Sequence, residues 1–265
     1  MFVSIEAGWM LRARHYAAID TEYGAMSFLA AYGLFLGGSI WVFYLAVEPY
    51  VRRFWPELLI GWSRLLSGRV RDPLVGRDVL VGIAMGTIGA LLIAARELVP
   101  RWFGLPLARA ILPDSTLLLG GHHVLSTVFQ YVRYSLTFAM WCVCIVVFFK
   151  IVVRRTWLVL LLSTIVLQPI AVGNGVEGSQ LGVELSIALL GTALVFATLL
   201  RFGFLALLTM FYVFLLTDPI PLTFDFSRPY AGASTWLLVG VAGLAAFAFA
   251  ASRGDEPLFG RDLLS

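Results

Sequence analysis

The sequence predicts an all-α, polytopic integral membrane bundle of about seven spans, six to eight, with an amphipathic helix lying in the cytoplasmic interface. Three observations predict it. Of 265 residues, 60% are apolar and 13% charged, and the mean hydropathy is +0.90; soluble domains carry about 45–50% apolar and about 25% charged residues. Seven apolar runs approach the ~20 residues that cross a hydrocarbon core. Trp55, Trp62, Trp102, Trp157 and Trp236 stand beside the ends of those runs, where indole rings favour the headgroup level. Seven spans use ~140 residues and leave too few for a sizeable soluble domain, so 1–265 reads as one membrane domain.

Residues 1–25 form an N-terminal outer or interfacial segment. Glu6, Arg12, Arg14, Asp20 and Glu22 interrupt it, and it lacks the apolar core of a cleaved secretory signal. The runs then cover Met26 to Val47, Val79 to Ala95, Leu125 to Val153, Trp157 to Val172, Leu181 to Leu200, Phe202 to Thr217 and Ser234 to Ala251. The fourth is short and holds Pro169. The fifth and sixth abut at Arg201, which admits a re-entrant or strongly tilted hairpin. Trp41 and Trp141 lie deeper inside runs and read as packing residues.

Orientation follows from Lys and Arg, which cytoplasmic loops retain. Twelve fall on one side: Arg52, Arg53, Arg64, Arg69, Arg71, Arg77, Lys150, Arg154, Arg155, Arg201, Arg253 and Arg261. Seven fall on the other. The N terminus is therefore expected outside, and the 252–265 tail in the cytoplasm.

The loop 48–78 carries the most information. In it Trp55, Leu58, Leu59, Trp62, Leu65 and Leu66 recur at the spacing of one helical face, while Glu57, Gly61, Arg64 and Ser67 fill the other. Pro56 suits a first helical turn. The expected element is a helix lying on the membrane, its aromatics in the lipid boundary and its arginines near anionic headgroups; a helix packed under the bundle is the alternative. Next comes Arg71-Asp72-Pro73-Leu74-Val75-Gly76-Arg77-Asp78. Its outline recurs near the C terminus, where Pro257, Gly260, Arg261 and Asp262 occupy the equivalent places. Both copies read acid-Pro-Leu-x-Gly-Arg-Asp. They suit either a turn followed by a helix cap or two docking elements for one cytoplasmic partner.

The stretch from Leu45 to Gly82, with its E-P-Y-V-R-R, W-P, W-S-R-L-L and R-D-P-L-V-G-R-D, resembles the membrane region that follows the catalytic domain in a group of bacterial serine/threonine protein kinases. The resemblance implies a membrane module of a receptor-like kinase, in a bacterial inner membrane, and brings no catalytic residue with it. The kinase motifs themselves do not occur: the sequence holds no H-R-D-L-x-x-x-N, D-F-G or A-P-E.

Other candidate chemistry is sparse. Adjacent His122 and His123 diverge on a helix, without the nearby cysteines or clustered carboxylates of a metal site. Cys142 and Cys144, two apart, point to different faces. Lys150 is placed to snorkel. Glu184 is the one carboxylate well inside an apolar run, where an ionised group is costly unless paired; Arg133 or Gln168 are its expected partners by depth. The outer loop Asp218 to Ser234 is proline-rich and reads as an ordered cap. The outer segment Arg96 to Leu125 suits a short surface helix, with Asp114 as the cap of the segment after it.

The expectation is a non-catalytic module, an anchor, sensor or scaffold, with a cytoplasmic docking face, a protein partner or a second copy of itself, and no cofactor, metal or nucleic acid. The alternatives are a permease-like subunit working with a separate ATPase and an accessory subunit of a larger membrane complex.

Overall fold

The computed structural model describes residues 1–12, 18–102, 104, 120–172, 181–217, 222–228 and 231–254. Among them the regular structure is helical throughout: α1 (Phe2–Arg12), α2 (Ile19–Phe54), a 3₁₀ turn (Pro56–Leu59), α3 (Ile60–Leu66), α4 (Pro73–Trp102), α5 (Gly121–Val152), α6 (Thr156–Val172), α7 (Leu181–Phe202), α8 (Phe204–Thr217) and α9 (Ala231–Arg253). Each expected apolar run is a helix, most of them extended by a few residues at one end or both. Five, α2, α4, α5, α7 and α9, are long and apolar enough to cross a membrane.

Helix α8 is the hub. It packs against α4, α5 and α7, and its Leu205, Ala206, Leu207 and Met210 are buried. The seam with α4 is a close backbone approach. A methyl group on Gly82 would lie 2.6 Å from the carbonyl oxygen of Ala206, and one on Gly86 would lie 2.7 Å from that of Met210. Small residues four apart let two helices meet without side chains between them.

The break between α7 and α8 falls on Gly203, with φ +94°. That left-handed conformation suits glycine and ends a helix. The expected hairpin at Arg201 thus turns two residues later, and its tight turn is covered by the 3₁₀ segment.

The periphery is different in kind. Of the apolar side chains on α2, Phe28, Phe35, Trp41 and Val42 are all more than half exposed. Trp41 and Trp141, expected to pack, instead project from the bundle surface at 63% and 51% exposure. Helix α1 lies against α5, where Ser126 Oγ donates to the Gly8 carbonyl at 2.6 Å and Arg12 reaches Gln130 Oε1 at 3.2 Å.

Candidate functional site

Helix α2 stops because Trp55 precedes a proline and is driven out of the helical region, to φ −147°, ψ 72°. The 3₁₀ turn after it has about 3.0 residues per turn, not about 3.6, so the single helical face expected from the spacing is split. Leu58 and Leu59 turn inward, 5% and 4% exposed, into a core with Val51, Met140 and Phe204. A methyl on Gly203 would sit 2.7 Å from the Leu58 carbonyl oxygen. Trp62 meets Phe204 edge-on, 5.2 Å between ring centres, and Lys150 Nζ stands 5.3 Å from the centre of the Trp55 ring. Leu65 is half-buried, and only Leu66 of that expected lipid-facing set is well exposed. The loop packs on α5 and α8, with its central leucines in protein and not in lipid.

One carboxylate bonds α3 to the start of α4, and a second packs against the loop. Arg64 Nη1 donates to both oxygens of Asp72, at 2.8 and 2.7 Å. Asp72 Oδ1 also accepts the Leu74 backbone N–H at 3.0 Å, which makes Asp72 the cap of α4 with Pro73 in the first helical position. Its hydrogen bond from Arg64 holds the Asp72 carboxyl below the usual carboxylate range. Asp78 is buried, and Arg77 donates to its Oδ1 from Nε at 3.1 Å and from Nη2 at 2.8 Å. Its other oxygen stands so close to Gly61 that no Cβ fits there. Gly76 in turn leaves no space for a Cβ against the backbone of Ala248 and Ser252 on α9.

In the first acid-Pro-Leu segment Asp72 caps α4 and Gly76 and Asp78 pack closely, with Arg71, Pro73 and Arg77 left exposed. Pro257, Gly260, Arg261 and Asp262 of the second copy lie outside the described residues, as do Asp114 and most of the 103–119 stretch.

The contacts at Trp55, Leu58 and Gly76 bring the C-terminal ends of α2, α5, α7 and α9 to the N-terminal end of α4. Arg52, Arg53, Arg69, Arg71, Arg77, Arg154, Arg155 and Arg201 are all exposed there. The side on which the sequence places its cations is therefore one physical end of the bundle.

At the opposite end Arg96 Nε donates to Glu184 Oε1 at 2.6 Å, and the Glu184 side chain is 5% exposed. The partner of Glu184 is neither Arg133 nor Gln168. Arg133 bonds the Tyr32 hydroxyl at 3.2 Å and lies 4.1 Å from the Tyr134 ring centre; Gln168 donates to Thr192 Oγ1 at 3.2 Å. Arg96 was legible in principle, because it stands one residue past the apolar run 79–95 and so at the same depth as the start of α7. In the segment 222–228, Asp225 gathers Ser227 and Arg228 into a turn, and Phe224 and Phe226 are exposed. His122 and His123 lie ring to ring at 4.3 Å, and Cys142 and Cys144 are free thiols. Among the described residues no group of three or more His, Cys, Asp or Glu is placed to hold a metal ion.

No family model, no curated protein and no solved structure matches the chain.

Proposed function

We propose that this chain is a non-catalytic, polytopic membrane module, an anchor, sensor or scaffold, that offers a partner protein a cationic docking face on the cytoplasmic side. One observation carries the reading: eight exposed arginines, five of them in the 48–78 loop, share one end of the bundle, where Arg64–Asp72 ties α3 to the start of α4 and Asp78 packs against Gly61. An exposed array of guanidinium groups suits acidic protein surfaces and, at its rim, anionic lipid headgroups. The likeness of 45–82 to the membrane region of bacterial kinases supports the same reading, with the N terminus outside and the inner membrane as its place.

In this reading α6 and α8 also traverse, giving seven spans. At 17 and 14 residues they measure ~25 and ~21 Å, short of the ~30 Å core. Helix α8 tolerates this because protein surrounds it, and irregular backbone at membrane depth is permitted where protein buries it. The means of transmission is α4. It starts in the clasp and runs as one helix to Arg96 at the far end.

The test is native extraction followed by mass spectrometry of copurifying chains, for the wild type and for Arg69→Glu combined with Arg71→Glu. Arg77 is left alone because it accompanies the buried Asp78. Loss of a specific partner, with insertion unchanged, is the expected result; equal recovery of that partner, or no partner for the wild type, overturns the docking reading.

A further inference from the structure

A cavity of about 300 Å³ lies among α4, α5, α6, α7 and α8. That is the small end of the range for ligand sites, about 300–1,000 Å³. Its walls are almost wholly apolar, with Phe138, Met210 and Phe214 among them, and Arg96 and Glu184 line it too. Along α7 the lining runs from Glu184 to Val195, a rise of ~16 Å. The space is therefore elongated, and its charged pair sits at one end.

We infer that this cavity is a binding site for a single-chain amphiphile with an uncharged hydroxyl head. The pair at its end presents an acceptor-only carboxylate beside a donor-only guanidinium. A hydroxyl both donates and accepts, so it satisfies the two together. An ionised head would add net charge to a pair already balanced at 2.6 Å, in surroundings where an uncompensated charge is costly. The apolar remainder of the cavity takes the chain. This site goes beyond the docking face and stands or falls independently of it.

Gly191 supplies the means of testing it. It lines the cavity, and a Cβ added there meets nothing within 4 Å, so Gly191→Leu fills the space. The probe is dodecanol bearing a diazirine near its chain end, irradiated with the full-length protein in phosphatidylcholine nanodiscs and mapped by peptide mass spectrometry. Labelling of cavity-lining positions on α7 and α8 is expected to saturate and to fall at least tenfold with excess plain dodecanol. It is expected to fall equally in Gly191→Leu, while labelling of the exposed face of α2 continues in proportion to probe. Gly191→Ala, one methyl into open space, gives a graded loss and replaces the larger variant if gel filtration finds the latter aggregated. Non-saturable labelling, labelling unchanged by both variants, or laurate displacing the probe better than dodecanol overturns the assignment.

Discussion

The two ends of the bundle each carry an arginine–carboxylate pair, and the pairs differ in what encloses them. Arg64–Asp72 joins α3 to the cap of α4, with the arginine 38% and the carboxylate 12% exposed. Arg96–Glu184 joins α4 to α7, with the arginine 21% and the carboxylate 5% exposed and a largely apolar cavity beside it. The bond lengths are nearly the same, 2.7 and 2.6 Å. Burial makes the difference by degree: both members of the first pair are more exposed than their counterparts in the second, so water screens the first pair more and compensates more readily for a lost partner there. The cationic end is built for display, and the opposite end for enclosure.

The largest effect is expected where enclosure is greatest. Glu184→Ala leaves Arg96 without its partner and is expected to cost about 3–5 kcal/mol, the range for breaking a buried pair. Arg96→Leu with Glu184→Leu removes both charges and should restore most of that stability. Denaturant unfolding in detergent micelles reads both. A double variant no more stable than the single one would mean that the glutamate acts other than by pairing with Arg96.

The next contrast lies within the cationic end. Leu59→Ala empties a core position and is expected to cost about 2–5 kcal/mol. Leu66→Ala, on the exposed side of α3, is expected to stay within about 0.5 kcal/mol. The same unfolding measurement checks the two, and equal losses would put both leucines in one environment, as a single helical face requires.

That contrast marks where sequence reading stops. The seven apolar runs were legible because hydropathy and length are properties of one chain segment, and the side of the cations was legible because charge placement is too. Which apolar face meets protein was not, since Leu and Phe look alike whether a helix neighbour or lipid covers them. Trp41, on the exposed α2, and Phe204, in the α8 core, illustrate it. The periodicity of 55–66 held a real signal, but a proline-started 3₁₀ turn shifted its phase. Asp72 as a cap was readable from its place before Pro73; the burial of Asp78 depended on Gly61, seventeen positions earlier, a contact that no local pattern encodes.

The smallest effect belongs to the solvent-screened pair, and pH isolates it. Asp72→Asn keeps a capping side chain but removes the charge that Arg64 binds. The folded Asp72 carboxyl is held below the ordinary range by that bond, and the unfolded value is about 3.9. A depressed folded pKa contributes stability that is complete above the unfolded value and is lost as pH falls through the folded one. The wild type should therefore exceed Asp72→Asn by a small, constant margin from neutral pH down to about 4, and the margin should shrink on further acidification. High salt should reduce it as well, because the pair is partly exposed. Unfolding midpoints across that pH series decide the sign: a margin that grew with acid would mean that the Asp72 carboxyl is raised in the folded protein, with the clasp weakening it and not holding it.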